Sequence, residues 1–435
     1  MHFQKNIYMY APIALFVYNR LEQTKQVVTQ LLTNTLSYET DLYVFSDGGK
    51  DEQSWAEVKA VREYLHDLEK QSNASSTMFK SVTITERPEN WYVERNIMDG
   101  INEVFKKHDT IIVLEDDIFV SEFFLDYMNT AFDLYREDRK VMHVSGFTNL
   151  DLINEHPLLV YDNPYVDLIN ETYFTPHMSG WGWGTWRDRW QEHFHHFETE
   201  AEALAGLTPA MQDKMQYGGN FPCLKLLKNN PIPWDVCWEI AIYKADGLCL
   251  TPGYTLVRNI GLKEGTHFST HEKFQYYNYD RPPLERLVKV SRRDILPKPE
   301  IEELFAEAIK DWGIVYTPLG KFARMALKGG TGALASVKQM GGHMSNFGAV
   351  LSKVGAKLGQ WASVYGGKFG RGFVKFCGKA AVVLKKLAKI LWKLLKRLFV
   401  EIRKNTPYVV GFFQGLFRWL SAQIKNLINK LLTKM

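Results

Sequence analysis

The sequence predicts an α/β fold in which a mixed, largely parallel sheet is flanked by helices. Between residues 11 and 150, short apolar runs alternate with longer stretches in which apolar residues recur every three or four positions. This alternation is typical of βαβ units, in which each helix covers one face of the sheet. Hydrophobic residues make up 46% of the 435 residues and charged ones only 23%, so the chain can bury a large core. That balance excludes a disordered chain, a collagen and a coiled-coil rod.

Individual elements follow from the same pattern. The short apolar runs predict strands over residues 13–19, 41–47, 81–87, 110–116 and 141–147. The stretches of helical period predict helices over 21–34, 54–71, 93–108 and 122–138. The section from 150 to 295 is richer in Trp, Pro and Gly and less periodic, with one clear helix over 236–247. We expect this section to form a loop-rich lobe at the end of the sheet.

The C-terminal part of the chain has a different composition. After a globular body over 1–295 we expect a helical connector over 296–327, a Gly/Ala-rich linker over 328–372, and basic amphipathic helices over 373–435. From Lys321 onward there are 22 Lys and Arg residues against the single acid Glu401, whereas the preceding part has 31 basic and 48 acidic residues. A basic tail on an acidic body indicates a tail that meets an anionic surface.

The last 63 residues predict helices with one apolar and one basic side. On a helical wheel, Leu387, Leu391 and Leu394 fall on one side, and Lys385 and Lys389 fall on the other. This is the pattern of a helix that lies among the headgroups of an anionic bilayer. The alternative is a helical hairpin that packs on the body with its lysines in water. Nucleic acid is not expected as a partner, because the apolar stripe is too wide for a surface that tracks phosphates.

The compartment is predicted from the cysteines and from two missing signals. Four cysteines occur without a CxxC pair or a disulfide framework, which favours reduced thiols. The first residues do not read as a signal peptide, and no run approaches the roughly 18 apolar residues that span a membrane. We therefore expect a cytoplasmic protein, peripheral on the inner face of the cell membrane.

Three consecutive acids are the sharpest motif. Glu115, Asp116 and Asp117 directly follow the apolar run 111–114, which predicts a central strand whose carboxyl end is a ligand edge. Carboxylate oxygens suit Mn²⁺ or Mg²⁺, which complete their shells with phosphate and water. Because side chains alternate along a strand, Glu115 and Asp117 are expected on one side and Asp116 on the other. The alternative is a turn of surface acids, or caps for the following helix.

Two other predicted strands also end in polar residues. Asn19 and Arg20 follow the first strand, and Asp47 with two glycines follows the second. An arginine suits a diphosphate, an aspartate can accept a hydrogen bond from a pyrimidine N–H, and glycines let the backbone approach a ligand. Each alone is an ordinary turn signal. Together they indicate a pocket along one edge of the sheet.

Five segments carry a common resemblance: IALFVYNR, YVFSDGG, ENWYVERNIMDGINEVF, IIVLEDDIFVSEFFLDYMNTAFDLY and YFTPHMSGWGWGTWRDRW. They resemble the N-acetylglucosaminyltransferase-I-like glycosyltransferases and their bacterial sugar-transferase relatives. The resemblance covers residues 11 to about 270 and implies a GT-A fold, with 11–150 as the nucleotide-binding part and 151–295 as the acceptor and donor-loop part. It also implies Mn²⁺ or Mg²⁺, a nucleotide-sugar donor such as UDP-GlcNAc, and inverting transfer of a hexosyl or N-acetylhexosaminyl group.

The resemblance also assigns roles to individual residues. Asp117 matches the family's metal ligand, and Glu115 and Asp116 match residues on the ribose and diphosphate side. Arg20 and Asp47 match the diphosphate and uracil contacts. A segment similar to 233–238 supplies the family's catalytic base, which makes Asp235 the candidate here and Glu239 its rival. The alternative for Asp235 is a helix N-cap.

Two further segments are candidates for donor contacts. Trp181 and Trp183 lie among glycines and could stack on a sugar ring, or they could simply fill the core. The stretch 257–269 resembles the family's loop that closes over the donor, so Arg258, His267 and Ser269 could reach the phosphates. An ordinary surface loop would have similar residues.

Two functions follow. The first is a membrane-peripheral, metal-dependent glycosyltransferase that acts on a glycan acceptor, expected to be a lipid-linked oligosaccharide in bacterial surface polysaccharide synthesis. The second is a membrane-perturbing, haemolysin-like protein, in which the basic tail is active and the body is a non-catalytic sugar-binding scaffold. Acids, an arginine and a candidate base at one sheet edge favour the first.

Overall fold

The computed structural model describes residues 9–148, 150, 170–219, 221, 223–261, 285, 287–303, 305 and 306. All of them belong to the first of two units into which the chain divides, Met1–Gly313. The predicted linker and the basic helices over 373–435 lie outside the described residues.

The first half of the fold alternates strands and helices as the sequence predicts. The strands are β1 (Ile13–Val17), β2 (Asp41–Ser46), β3 (Ser81–Glu86), β4 (Thr110–Glu115), a short β5 (Ile118–Val120) and β6 (Val141–Ser145). The helices are α1 (Leu21–Leu31), α2 (Glu52–Ala74), α3 (Tyr92–Phe105) and α4 (Phe124–Leu134). All five predicted strands and all four predicted helices of this region are confirmed.

The second half contains β7 (Thr172–Thr175), β8 (Trp183–Trp186), β9 (Leu248–Pro252) and β10 (Val257–Asn259). Its helices are α5 (Arg187–His193), α6 (Glu200–Leu204), α7 (Pro209–Met215) and α8 (Trp234–Lys244), with a 3₁₀ helix at Cys223–Lys228. The helix predicted over 236–247 is therefore present as α8. Residues 299–303, 305 and 306 are also helical, where the sequence predicts the short connector helix.

Within the described residues, eight strands form one sheet in the order β3-β2-β1-β4-β8-β6-β9-β7. Neighbouring strands from β3 to β4 are parallel, β8 is antiparallel to both β4 and β6, and β7 is antiparallel to β9. The expectation of a loop-rich lobe after residue 150 was thus wrong in part, since β7, β8 and β9 extend the sheet. These strands have only four or five residues, too few to show a clear period in the sequence.

Both faces of the sheet are covered. Side chains of α1, α2 and α4, such as Val27, Leu65 and Met128, pack on one face. Side chains of α3 and α8, such as Ile101 and Trp238, pack on the other. Because the central parallel strands β1 and β4 are buried on both faces, they are almost entirely apolar. The polar residues that follow them are confined to the edge where the strands end.

The close packing around Gly184 allows the position of β8 in the sheet to be tested. The residue lies in β8, and an added Cβ would meet the carbonyl oxygen of Ile111 and lie 2.5 Å from Phe132 Cζ. We expect Gly184→Ala to lower the free energy of unfolding by about 2 to 4 kcal/mol, because neither neighbour can move freely. Urea denaturation measures this change.

Gly180→Ala is the matched control, since its added Cβ would lie 3.5 Å from the Trp234 ring, an ordinary contact distance. Equal destabilisation by the two substitutions would contradict the predicted packing.

Candidate active site

Three parallel strands end at one edge of the sheet and bring the predicted site residues together. β1 pairs with β2 and with β4, so that Val17 lies beside Ser46 and Phe16 beside Glu115. Parallel pairing places the carboxyl ends of these strands at the same edge. Arg20, Asp47 and the acids after β4 therefore meet there, although about 100 residues separate the first from the last.

Arg20 holds the two aspartates of the turn that follows β4. Its Nη1 donates to Asp117 Oδ2 at 2.9 Å, and its Nη2 donates to Asp116 Oδ1 in a short ion pair. The Tyr18 N–H donates to Asp116 Oδ2 at 3.1 Å, so both oxygens of this buried carboxylate are used within the protein. The predicted alternation of the acids was wrong: β4 ends at Glu115, and the turn directs both aspartates towards Arg20.

Negative charge exceeds positive charge in this cluster. Burial and the two neighbouring aspartates raise the pKa of Glu115 to about 8, against the opposing effect of Arg20. Burial, together with the charge of Asp117, raises the pKa of Asp116 to about 6, although Arg20 favours its charged form. One guanidinium thus offsets three crowded carboxyl groups only in part. A further cation at this edge would be stabilised.

Asp47 connects the end of β2 to the start of α3. It is nearly buried, and its Oδ1 accepts hydrogen bonds from the N–H of Gly48 at 2.9 Å and of Trp91 at 2.7 Å. Burial raises the pKa of this carboxyl, while the backbone donors lower it. Gly48 is required here, because an added Cβ would lie 2.5 Å from the Glu89 carbonyl oxygen.

A two-stranded ribbon of β5 and β10 brings the segment predicted to close over the donor against the acidic turn. In this ribbon, Arg258 lies opposite Phe119. The Ile260 N–H donates to the Asp117 carbonyl oxygen at 2.8 Å. An added Cβ at Gly261 would collide with the Asp117 carboxylate and lie 2.8 Å from Arg20 Nη1, so glycine is needed for this approach. His267 and Ser269 lie outside the described residues.

Asp235 lies at the start of α8 and acts on the acidic turn through its charge. Pro233 is the N-cap, so Asp235 lies in the first turn, where its Oδ1 accepts a hydrogen bond from the Val236 N–H at 2.8 Å. The alternative that Asp235 is the N-cap was therefore wrong. Burial raises the pKa of Asp235 to about 6, and its charge in turn raises the pKa of Glu115. The two carboxyl groups are within electrostatic reach across the site.

Glu239, one turn further along α8, has a different environment. Its Oε1 is paired with His177 Nδ1 at 3.0 Å, and His177 Nε2 is bonded to the Tyr243 hydroxyl at 3.2 Å. The His177 ring also stacks on Tyr217 with centroids 4.0 Å apart. Sequence reasoning missed His177, although it lies within the quoted aromatic-glycine segment. His177 thus anchors the Glu239 carboxylate, whereas the Asp235 carboxylate accepts its hydrogen bond from a backbone N–H.

The two candidate tryptophans differ in exposure. Trp183 is fully buried, and its ring stacks between His143 and Trp234, with centroids 5.1 and 5.3 Å away. Trp181 is partly buried and contacts Phe147 edge-on at 4.8 Å. Trp181 is therefore the one of the two that has surface to offer a sugar, and Trp183 fills the core.

The donor set fits a divalent cation that shares its shell with a ligand. Among the described residues, no group of three or more His, Cys, Asp or Glu side chains converges as a complete metal cage. A hard cation bound through one or two carboxylates and completed by phosphate and water needs no such cage. Asp117 is partly exposed and engages Arg20 through one oxygen, so it is the available ligand.

Among the described residues, no helix has the length and apolar character needed to cross a membrane.

One protein-family model matches part of the chain. Residues 2–196 match the GNT-I family. The resemblance expected from the sequence is confirmed for this part of the chain, and the match supports a nucleotide-sugar glycosyltransferase. The matched range contains Arg20, Asp47 and the acids after β4, whereas Asp235 and the β10 strand follow it. No curated protein matched the chain.

Solved structures show weak likeness. Residues 1–349 of S. aureus TarS are 11% identical over 50% of this chain and 56% of that one, with a TM-score of 0.28. The mannosyltransferase PcManGT from Pyrobaculum calidifontis, in complex with GDP-Man and Mn²⁺, is 12% identical over 78% of this chain and 84% of that one, with a TM-score of 0.30. This chain spans about half of the TarS segment.

The crowding of the three acids predicts how the free energy of unfolding depends on pH. The folded-state pKa of Glu115 lies above its usual value, so ionised Glu115 costs stability at high pH, and this cost disappears as pH falls towards 4.5. We expect Glu115→Gln to raise the free energy of unfolding of the metal-free protein at pH 8.5 by on the order of 1 to 3 kcal/mol. The gain should shrink at pH 5.

Thermal melts at both pH values measure the effect. Glu122→Gln, at an exposed site near the same turn, is the control and should change stability by less than about 0.5 kcal/mol. A Glu115→Gln protein that is less stable than the parent at pH 8.5 would refute the crowding argument.

Proposed function

We propose that the protein is a metal-dependent inverting glycosyltransferase that moves a hexosyl or N-acetylhexosaminyl group from a nucleotide sugar, such as UDP-GlcNAc, to a glycan acceptor. The observation that carries this proposal is that the charge of Asp235 reaches Glu115, which lies beside the two aspartates that Arg20 pairs with at one sheet edge. This supports a candidate base close to a candidate diphosphate site.

Each residue has a chemical task in this proposal. Asp117 would hold Mn²⁺ or Mg²⁺, which stabilises the departing diphosphate when bound. Arg20 keeps Asp117 oriented and has further N–H groups for phosphate oxygens. Glu115 faces the ribose and diphosphate side, and Asp47 faces the base. Asp116, whose oxygens are both bonded internally, acts by holding Arg20 in place.

Asp235 is the proposed base. It takes the proton of the acceptor hydroxyl, whose oxygen attacks the anomeric carbon as the bond from that carbon to the diphosphate oxygen breaks. The sugar is transferred with inversion, and a nucleoside diphosphate leaves. A raised pKa brings the carboxylate closer in basicity to the hydroxyl proton it must accept, while leaving it ionised at neutral pH.

The acceptor and the location are also part of the proposal. A lipid-linked oligosaccharide on the cytoplasmic face of a bacterial cell membrane suits a chain whose C-terminal part, residues 373–435, carries the basic amphipathic pattern. In the alternative, haemolysin-like function, the tail would be the active part. The ordered acids, arginine and candidate base of the body favour the transferase.

Asp117 should control metal-dependent donor binding. We expect a panel of UDP-, GDP- and dTDP-sugars to raise the melting temperature only when Mn²⁺ and one nucleotide are present together, by the equivalent of about 2.7 kcal/mol at 100 times the dissociation constant. Asp117→Asn should abolish the part of the shift that depends on Mn²⁺, because it removes a charged ligand.

Asp67→Asn, an exposed site on α2, is the control and should leave the shift intact. A full Mn²⁺-dependent shift in the Asp117→Asn protein would contradict the assignment of the metal ligand.

The pKa of Asp235 predicts the pH dependence of transfer. Since the base must be ionised and its pKa is raised to about 6, kcat/KM should fall about tenfold per pH unit below pH 6. Asp235→Asn should lower kcat by a factor of about 10² to 10⁴. The measurement is the release of nucleoside diphosphate from the nucleotide sugar that raises the melting temperature in the thermal-shift panel.

Glu239→Gln distinguishes the rival base. Because Glu239 is paired with His177, its amide variant should retain the acid limb of the pH profile and most of kcat. If Glu239→Gln removed the acid limb and Asp235→Asn did not, the two roles would have to be exchanged.

A further inference from the structure

A small basic and apolar surface lies next to the start of α8. Between Asp213 and Asp235 the chain has three lysines and no acid. Of these, Lys214 is paired with Glu302 at 3.2 Å. Lys225 and Lys228 are exposed, and neither has an ion-pair partner among the residues that the structure describes. We call Phe221, Lys225, Leu226 and Lys228 the 221–228 surface.

The geometry of the 3₁₀ helix explains why this surface is two-sided. Residues three positions apart are eclipsed along such a helix. Leu224 and Leu227 therefore share one edge, which is buried in the apolar cluster formed with α6, α7 and α8. Lys225 and Lys228 share another edge, which faces solvent. The helix is thus anchored to the body through its leucines and presents its lysines outward.

Two large apolar side chains accompany the lysines. Phe221 is 42% exposed and Leu226 is 40% exposed, both within six residues of the chain. Isolated exposed apolar residues are common on soluble proteins, but here they stand beside two lysines that have no ion-pair partner among the described residues. The part of the chain before Lys321 has 48 acidic and 31 basic residues, so a basic surface on it is a local exception.

We propose that the 221–228 surface docks on an anionic lipid bilayer, with Phe221 and Leu226 among the headgroups and the two lysines on anionic lipids. Four side chains offer far less area than the roughly 800 Å² that each partner contributes to a stable protein interface. Apolar tips beside lysines match a bilayer interface instead. The rest of the body is acidic and would be repelled by the anionic bilayer. The contact through the 221–228 surface therefore also sets the orientation of the body on the membrane.

The position of this surface relates it to the active site. Residues 229–233 lead directly from the 3₁₀ helix into α8, whose first turn carries Asp235, and the 3₁₀ helix packs on α8. Docking would hold the proposed base near the bilayer, where a lipid-linked acceptor is displayed. This last step rests on the proposed function, whereas the docking itself does not.

The test uses the full chain with a local probe, because the basic tail is itself expected to bind vesicles and bulk binding would not report on the 221–228 surface. Leu226→Cys, in a Cys377→Ser background, is labelled with an environment-sensitive dye. Burial raises the pKa of Cys223 to about 12 and of Cys237 to about 11, which keeps these buried thiols unreactive. A second protein carries the dye at Phe221→Cys, and a third at Tyr38→Cys, 51% exposed in the wild type.

We expect the dye at positions 221 and 226 to shift to the blue with phosphatidylcholine vesicles that contain 30% phosphatidylglycerol, and to shift little with phosphatidylcholine alone. The dye at position 38 should not shift. Lys225→Glu together with Lys228→Glu should raise the lipid concentration for half of the shift by about tenfold or more. Lys59→Glu together with Lys70→Glu, on exposed α2, changes the charge equally and should have a much smaller effect.

Three outcomes would overturn the proposal. One is an unchanged dye at both 221 and 226 while the protein co-sediments with the anionic vesicles. Another is an equal loss of the shift in the two charge-reversal pairs. The third is a shift that grows with protein concentration in the absence of vesicles, which would indicate a second copy of the chain. Since no nucleotide or sugar is present, an Asp235→Asn protein should give the same shift whether or not the transferase proposal holds.

Discussion

The bond between Arg20 and the two aspartates after β4 is the interaction on which the site depends. The guanidinium makes it possible to keep three acids in one short stretch at a buried strand end, a position where unpaired carboxylates are costly. Its neutralisation of the cluster is incomplete, as the raised pKa values of Glu115 and Asp116 indicate. The fold therefore carries a net negative edge, whose remaining charge suits a divalent cation and the phosphates that accompany it.

Two elements from the second half of the chain complete this edge. The residues that follow β10 pass close to the acidic turn and need Gly261 to do so, since a side chain there would collide with the Asp117–Arg20 pair. From the other side, α8 contributes Asp235, whose charge is felt by Glu115. In the proposed function, this edge binds the donor and Asp235 acts as the base. This division between a binding half and an acting half is what favours transfer over simple binding.

Much of the fold was predictable because the parallel strands are buried on both faces. Burial on both sides makes β1 and β4 nearly continuous apolar runs, and the amphipathic helices between the parallel strands keep a clear period. The strands of the second half gave no such signal. β8 consists of tryptophans, glycine and threonine, and it belongs to the sheet because Gly184 lets Ile111 and Phe132 approach, a fact of packing rather than of period.

The sequence by itself determined that polar residues end three neighbouring strands, and parallel pairing then requires Arg20, Asp47 and Glu115 to share an edge. It also determined which residue types are available for a cation, a diphosphate and a base. Only the tertiary structure decided how they are used: the turn after β4 directs Asp116 to Arg20, His177 anchors Glu239, and Trp183 is buried between aromatic rings. The physical reason is that strand ends are local features of the chain. These side-chain partners are 40 to 96 residues apart and are chosen by packing, which no short segment encodes.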